Sequence, residues 1–167
     1  ALDLESLVPS VYGEYASPAE SVMPSTIFAY TSQGAHEYNV EQAKQLLAEA
    51  GYPDGLTLTL NLPNSSEQQN IGVIAQNMWK EIGVTAEIVT ASTSEVIASG
   101  RRGDNQIVIM AATYSTGDPG HALADFDTRS DGFLRPNDTH IDELLDKGNA
   151  TYDETERAAV YAELQQY

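Results

Sequence analysis

The chain has 167 residues, with 25 Asp and Glu against 8 Lys and Arg, a formal charge of −17. That excess disfavours nucleic acid and anionic membrane surfaces, both of which are gripped mainly by Lys and Arg. The chain contains no cysteine, which excludes disulfides, thiol nucleophiles and thiolate metal sites. A hydrophobic share of 41% fits a domain with a packed core. No apolar run approaches the roughly 18 to 20 residues that span a bilayer, and the opening Ala1–Glu5 has no signal-peptide pattern.

In chain order, Leu2, Leu4, Leu7 and Val8 recur at helical spacing. Residues 13–38, rich in Gly, Pro, Ser and Tyr, predict an irregular connection, because Pro18 and Pro24 rule out a long helix. Asn39 and Gln42 form a capping-box pattern ahead of the stripe Val40, Ala43, Leu46, Leu47 and Ala50, which Gly51 closes. Leu56–Leu62 alternates apolar and polar residues, a strand signal. Ser65 or Ser66 caps a helix whose stripe is Ile71, Ile74, Ala75, Met78, Trp79 and Ile82; Trp79 lies on it as a core residue. A second strand spans 84–90, completing a strand–helix–strand unit with parallel strands. Ser92 with Glu95 caps a short helix to Ser99 that Gly100 stops, and Gln106–Thr113 reads as a buried strand. After an irregular acidic stretch, helices are expected around His140–Lys147 and Asp153–Tyr167.

The pattern predicts an α/β fold, one lobe with a small, largely parallel sheet flanked by helices across residues 1–167. The apolar faces at the two ends lack a closing Gly or Pro, so the chain reads as an excerpt of a longer polypeptide. Ligands of open parallel sheets sit beyond the carboxyl ends of the strands. Those ends lead into Pro63-Asn64-Ser65, Ala91-Ser92-Thr93 and Tyr114-Ser115-Thr116-Gly117-Asp118, all polar with little charge. The candidate ligand-facing residues are Asn64, Ser65, Ser92, Thr93, Tyr114, Ser115 and Asp118. An Asp before Pro119 equally suits holding the loop through its own backbone.

Other chemistry is weaker. His121, Asp125 and Asp127 have metal-ligand types at short spacing, but a catalytic zinc needs a third strong ligand, and no H-E-x-x-H motif exists. Neither G-x-S-x-G nor a Gly-rich phosphate loop occurs. His36, His121 and His140 read as loop or helix-start histidines, and Arg101-Arg102 as a solvated helix end. No catalytic residue, metal or cofactor is expected. The enzymatic alternative is a small hydrolase using Asp118, His121 and Asp125.

The ordered set of segments carries a resemblance. Ala1–Val8, Gly13–Ala19 with Ser21–Pro24, Tyr38–Tyr52 continued by Pro53–Leu58, Trp79–Val84, Gly117-Asp118-Pro119, Asp142–Lys147 and Glu156–Tyr161 run in the order of one known family. They resemble the C-terminal lobe of the peptide, dipeptide and nickel binding proteins of ABC importers, the family 5 solute-binding proteins. The resemblance implies a monomeric two-lobed clamshell, periplasmic or at the cell surface and possible to anchor by lipid. It would deliver a peptide or small-molecule solute to ABC permease subunits without enzymatic chemistry, and the three loops would touch the ligand. Dipeptide binders of that family carry an Asp where this chain has Ser115, an Arg in the loop that here reads Pro63-Asn64-Ser65, and often a Trp at Thr93. Charge-assisted pairs are the stronger anchors, so their absence favours longer peptides. The alternative is a non-peptide solute such as a nickel complex or sugar.

Overall fold

A computed structural model describes residues 1–35, 37–130, 134 and 137–167. The loop position expected for His36, and part of the acidic stretch before residue 137, lie outside the described residues. The chain forms two compact units, Ala1–Pro18 with His36–Ala111, and Ala19–Ala35 with Ala112–Tyr167.

The first unit carries the sheet. Helix α1 (Leu4–Tyr12) is capped by the Asp3 side chain, which accepts from the Ser6 N–H. Helix α2 (Val40–Glu49) starts where expected, with Asn39 accepting from the Gln42 N–H. Its apolar stripe, however, buries nothing among the described residues, and Leu46 stays 57% exposed. Strand β1 (Leu56–Pro63), helix α3 (Ser66–Lys80) and strand β2 (Val84–Ala91) form the expected parallel unit, with Leu56 opposite Val84 and Pro63 opposite Ala91. Alternation decides which side is buried: Leu60 and Leu62 are fully covered, and with Ala86 they make a core that Leu58, Ile88 and Trp79 flank. Each fully buried leucine contributes about 1.5–3 kcal/mol. Helix α3 approaches so closely that a side chain on Gly72 would collide with Leu62. Trp79 is half-buried against this cluster.

Two expectations need correction. Helix α4 runs Thr93–Arg102, through Gly100 rather than stopping there. Gly100 is buried inside the helix, and Gly103 ends it in a left-handed conformation at φ 80°, which a residue without Cβ adopts at little cost. Strand β3 is only Ile107–Val108, not the expected eight-residue strand. The sheet order is β2-β1-β3, so β3 pairs along one side alone. After the Ile109 N–H reaches the Asn61 carbonyl at 3.3 Å, the chain leaves for the second unit at Ala112.

The second unit is helical. Short α5 (Pro119–Ala122) precedes α6 (Thr139–Ala150) and α7 (Glu154–Gln166), capped by Asp118, Asp138 and Asp153. Leu144, Leu145, Val160 and Tyr161 form the core with Leu123 and with Met23 and Ile27 from the irregular segment. Buried Gln165 fastens that segment: its amide oxygen accepts from Ser21 Oγ and the Thr31 N–H, and its nitrogen donates to the carbonyls of Ala29 and Tyr161. Among the described residues, no helix is long and apolar enough to cross a membrane.

Candidate functional site

In the first unit, the carboxyl ends of β1 and β2 run directly into the N-termini of α3 and α4. The Asn64 N–H donates to the Ala91 carbonyl at 2.7 Å, bringing the first two predicted loops together. Asn64 is exposed, and its side-chain oxygen accepts from Gln69 Nε2 at 3.0 Å. Ser65 is the N-cap residue of α3, yet its hydroxyl makes no capping bond. Ser92 does cap α4, accepting from the Glu95 N–H at 3.2 Å and lying 3.0 Å from Ser94 Oγ. Thr93 is exposed at the first position of α4. Helix N-termini expose unpaired N–H groups, so these loops offer hydroxyls, an amide and backbone donors, with no charged side chain.

In the second unit, Tyr114 and Ser115 line a pocket of about 450 Å³ together with Thr113, Thr116 and, across from them, Pro24, Thr26 and Ile27. Tyr114 is half-buried against the helical core and meets the edge of His121, ring centres 6.5 Å apart. Asp118 has a different post. Its carboxylate caps α5 through the Gly120 N–H at 2.8 Å and pairs with Arg157 at 2.8 Å. Burial opposes its ionisation, but the Arg157 hydrogen bond, the Gly120 N–H and the Arg157 charge outweigh that and hold its pKa below the usual value. Arg157 also donates to the Gly148 carbonyl at 2.9 Å and lies over the rings of Tyr161 and Phe28, at 5.2 and 5.9 Å. Asp118 therefore holds the loop with a carboxylate already neutralised.

Three further acidic residues of this unit are engaged. Asp127 bonds Arg129, which forks onto Asp146, and buried Asp142 accepts from the Thr128 N–H. Of the groups in the metal and hydrolase alternatives, His121 and Asp125 are exposed, and no cluster of three metal-ligand types forms among the described residues. Neither Ser65 nor Ser115 is hydrogen-bonded to a histidine or carboxylate there, the pairing that activates a nucleophilic hydroxyl. What the site offers is hydrogen bonding to neutral groups. Sequence reading missed Pro24, Thr26, Ile27 and Arg157. Arg157 is 39 positions from Asp118, and the turn at Pro24 carries no periodic signal.

Residues 1–133 match the model of the bacterial extracellular solute-binding proteins, family 5 Middle. The chain belongs to this family. Among family relatives, the dipeptide-binding protein of Escherichia coli is 25% identical over 99% of this chain and 33% of its own length. The heme-binding protein A of Haemophilus influenzae is 27% identical over 99% of this chain and 32% of its own length. A dipeptide binding protein of a Pseudoalteromonas species, solved in complex with Met-Leu, is 24% identical. It superposes with a TM-score of 0.92 over 99% of this chain and 35% of that one. The chain thus spans about a third of the length of the curated relatives it matches, and its fold is that of the periplasmic binding proteins.

Proposed function

We propose that this chain is one lobe of an extracytoplasmic, two-lobed receptor that binds peptides and hands them to the permease of an ABC importer. The observation that carries the reading is family membership over residues 1–133. The two polar, uncharged loops that follow β1 and β2 lie where open parallel sheets bind ligands, and support it independently. In such a receptor the lobes close because ligand binds the closed state better than the open one. The work is binding, with no bond made or broken.

Asn64, Ser65, Ser92, Thr93, Tyr114 and Ser115 are the proposed ligand contacts, and Asp118 holds the loop that carries two of them. With Asp118 already paired to Arg157, no carboxylate in these loops is left to anchor a free amino terminus, and no arginine to take a terminal carboxylate. A dipeptide depends on both ends; a longer peptide is held along its backbone. Oligopeptides therefore suit these loops better than dipeptides.

Native mass spectrometry of the full-length protein as purified tests this reading. A ladder of co-purified peptide masses is the expected result. One discrete non-peptide mass would replace peptides by a dedicated small-molecule solute.

A further inference from the structure

The pocket of about 450 Å³ falls inside the second unit, and its size is typical of ligand sites, roughly 300–1,000 Å³. One wall is the loop 112–117; the other is the turn Pro24–Ile27, from a segment whose sequence carries no periodic signal. The walls are tied together, since the Phe28 N–H donates to the Gly117 carbonyl at 3.1 Å. The turn closes on itself through the Ile27 N–H and the Pro24 carbonyl, also at 3.1 Å. Ile27 is sunk in the helical core, and Gln165 clasps the Ala29 carbonyl and the Thr31 N–H just beyond. The frame is thus built from backbone bonds and core packing.

The hydroxyl-bearing residues that line the pocket keep hydrogen-bonding capacity to spare. Thr26, Thr113, Tyr114, Ser115 and Thr116 line it, and none of their hydroxyls has a hydrogen-bonding protein partner among the described residues. No charged side chain lines it. Hydroxyls both donate and accept, matching an amide or another hydroxyl. An ion entering would lose water without gaining a countercharge, and that is costly.

We propose that the Pro24–Ile27 turn is the second wall of a solute subsite, facing residues 113–116, that accepts an uncharged hydrogen-bonding group of the bound peptide. This rests on the receptor reading above. Thr26, exposed at the tip of the turn, is its specificity-determining residue.

Thiol protection on the full-length protein tests the subsite. Thr26→Cys and Thr113→Cys each place a thiol in a stretch of 167 residues without cysteine, where peptide mapping reads it by position, and Tyr152→Cys, at a residue 97% exposed, serves as control. Maleimide labelling is followed by peptide mapping with and without a tetrapeptide library built from Ser, Thr, Asn, Gln, Gly and Ala. The neutral library should slow labelling at positions 26 and 113 about tenfold and leave position 152 unchanged. A matched library rich in Asp and Lys should protect much less. In parallel, Thr26→Trp, which intrudes on the pocket, should weaken neutral-library binding by about tenfold, some 1.4 kcal/mol, with an unaltered circular dichroism spectrum. Library binding without protection at 26 and 113, or equal protection by the charged library, overturns the subsite while leaving the receptor reading intact. A wild-type protein that binds no peptide of either library overturns the peptide reading and the subsite with it.

Discussion

Replacing Arg157 by Leu should cost the protein about 3 kcal/mol, and the sum can be worked from its contacts. The guanidinium satisfies the Gly148 carbonyl at 2.9 Å; leaving a covered acceptor unpaired costs about 1–3 kcal/mol. It pairs with Asp118 at 2.8 Å, but that carboxylate side chain is 45% exposed. The pair therefore contributes about 1 kcal/mol, far below the 3–5 kcal/mol of a fully buried one. Its position over Tyr161 and Phe28 adds about 0.5–1 kcal/mol, part of which a leucine retains by packing. Urea unfolding followed by far-UV circular dichroism reads the loss. Arg157→Lys should recover little, because an ammonium cannot fork onto Asp118 and Gly148 together. Asp118→Asn should cost about 1 kcal/mol at pH 7. The folded pKa of Asp118 is depressed, so its contribution is present above the unfolded value, near 3.9, and vanishes as pH falls through the folded one. Wild type and Asp118→Asn should then converge below about pH 4. An Arg157→Leu loss under about 1 kcal/mol, or a double mutant whose effects simply add, would refute this account of the loop.

Gln165→Ala removes four hydrogen bonds at a buried amide and should destabilise by about 2–3 kcal/mol. Hydrogen exchange at the Thr31 amide should quicken; unchanged exchange there would show that the clasp does not hold the segment. Gly148→Ala places a methyl 2.6 Å from the Tyr161 ring. The helix gains about 1 kcal/mol from alanine, but overpacking a fully buried ring costs about 1–3 kcal/mol, so a net loss is expected by urea unfolding, and a net gain would contradict the packing.

Local pattern carried the first unit well. The alternation of Leu56–Leu62 and the stripe from Ile71 to Ile82 predicted β1, α3 and their parallel neighbour, because the same faces that look apolar in sequence are the ones buried. It failed where the outcome depended on distant partners. The run 106–113 looks like a central strand, yet it sits at the sheet edge and crosses into the second unit after a few residues. The stripe of α2 was legible, but it is only partly covered: Val40, Ala43 and Leu47 are half-buried and Leu46 is exposed. Asp118 reads in sequence as ligand contact or loop holder, and its pairing with Arg157, 39 positions on, is a contact no local window shows. The Pro24 wall was illegible altogether: its shape is fixed by Gly117 and Gln165, and no window of neighbouring residues contains them.

That last clasp also has a temporal side. Gln165 lies 134 positions after Thr31, and ribosomes add roughly 5–20 residues per second. The Pro24 turn must therefore wait about 7–27 s after synthesis for its partner. Met23 and Ile27, apolar and destined for burial, complete their cover only when Val160, Tyr161 and Leu164 of α7 have joined the core. Within this stretch of chain the Pro24 turn is thus made first and fastened late, by a helix far along the sequence.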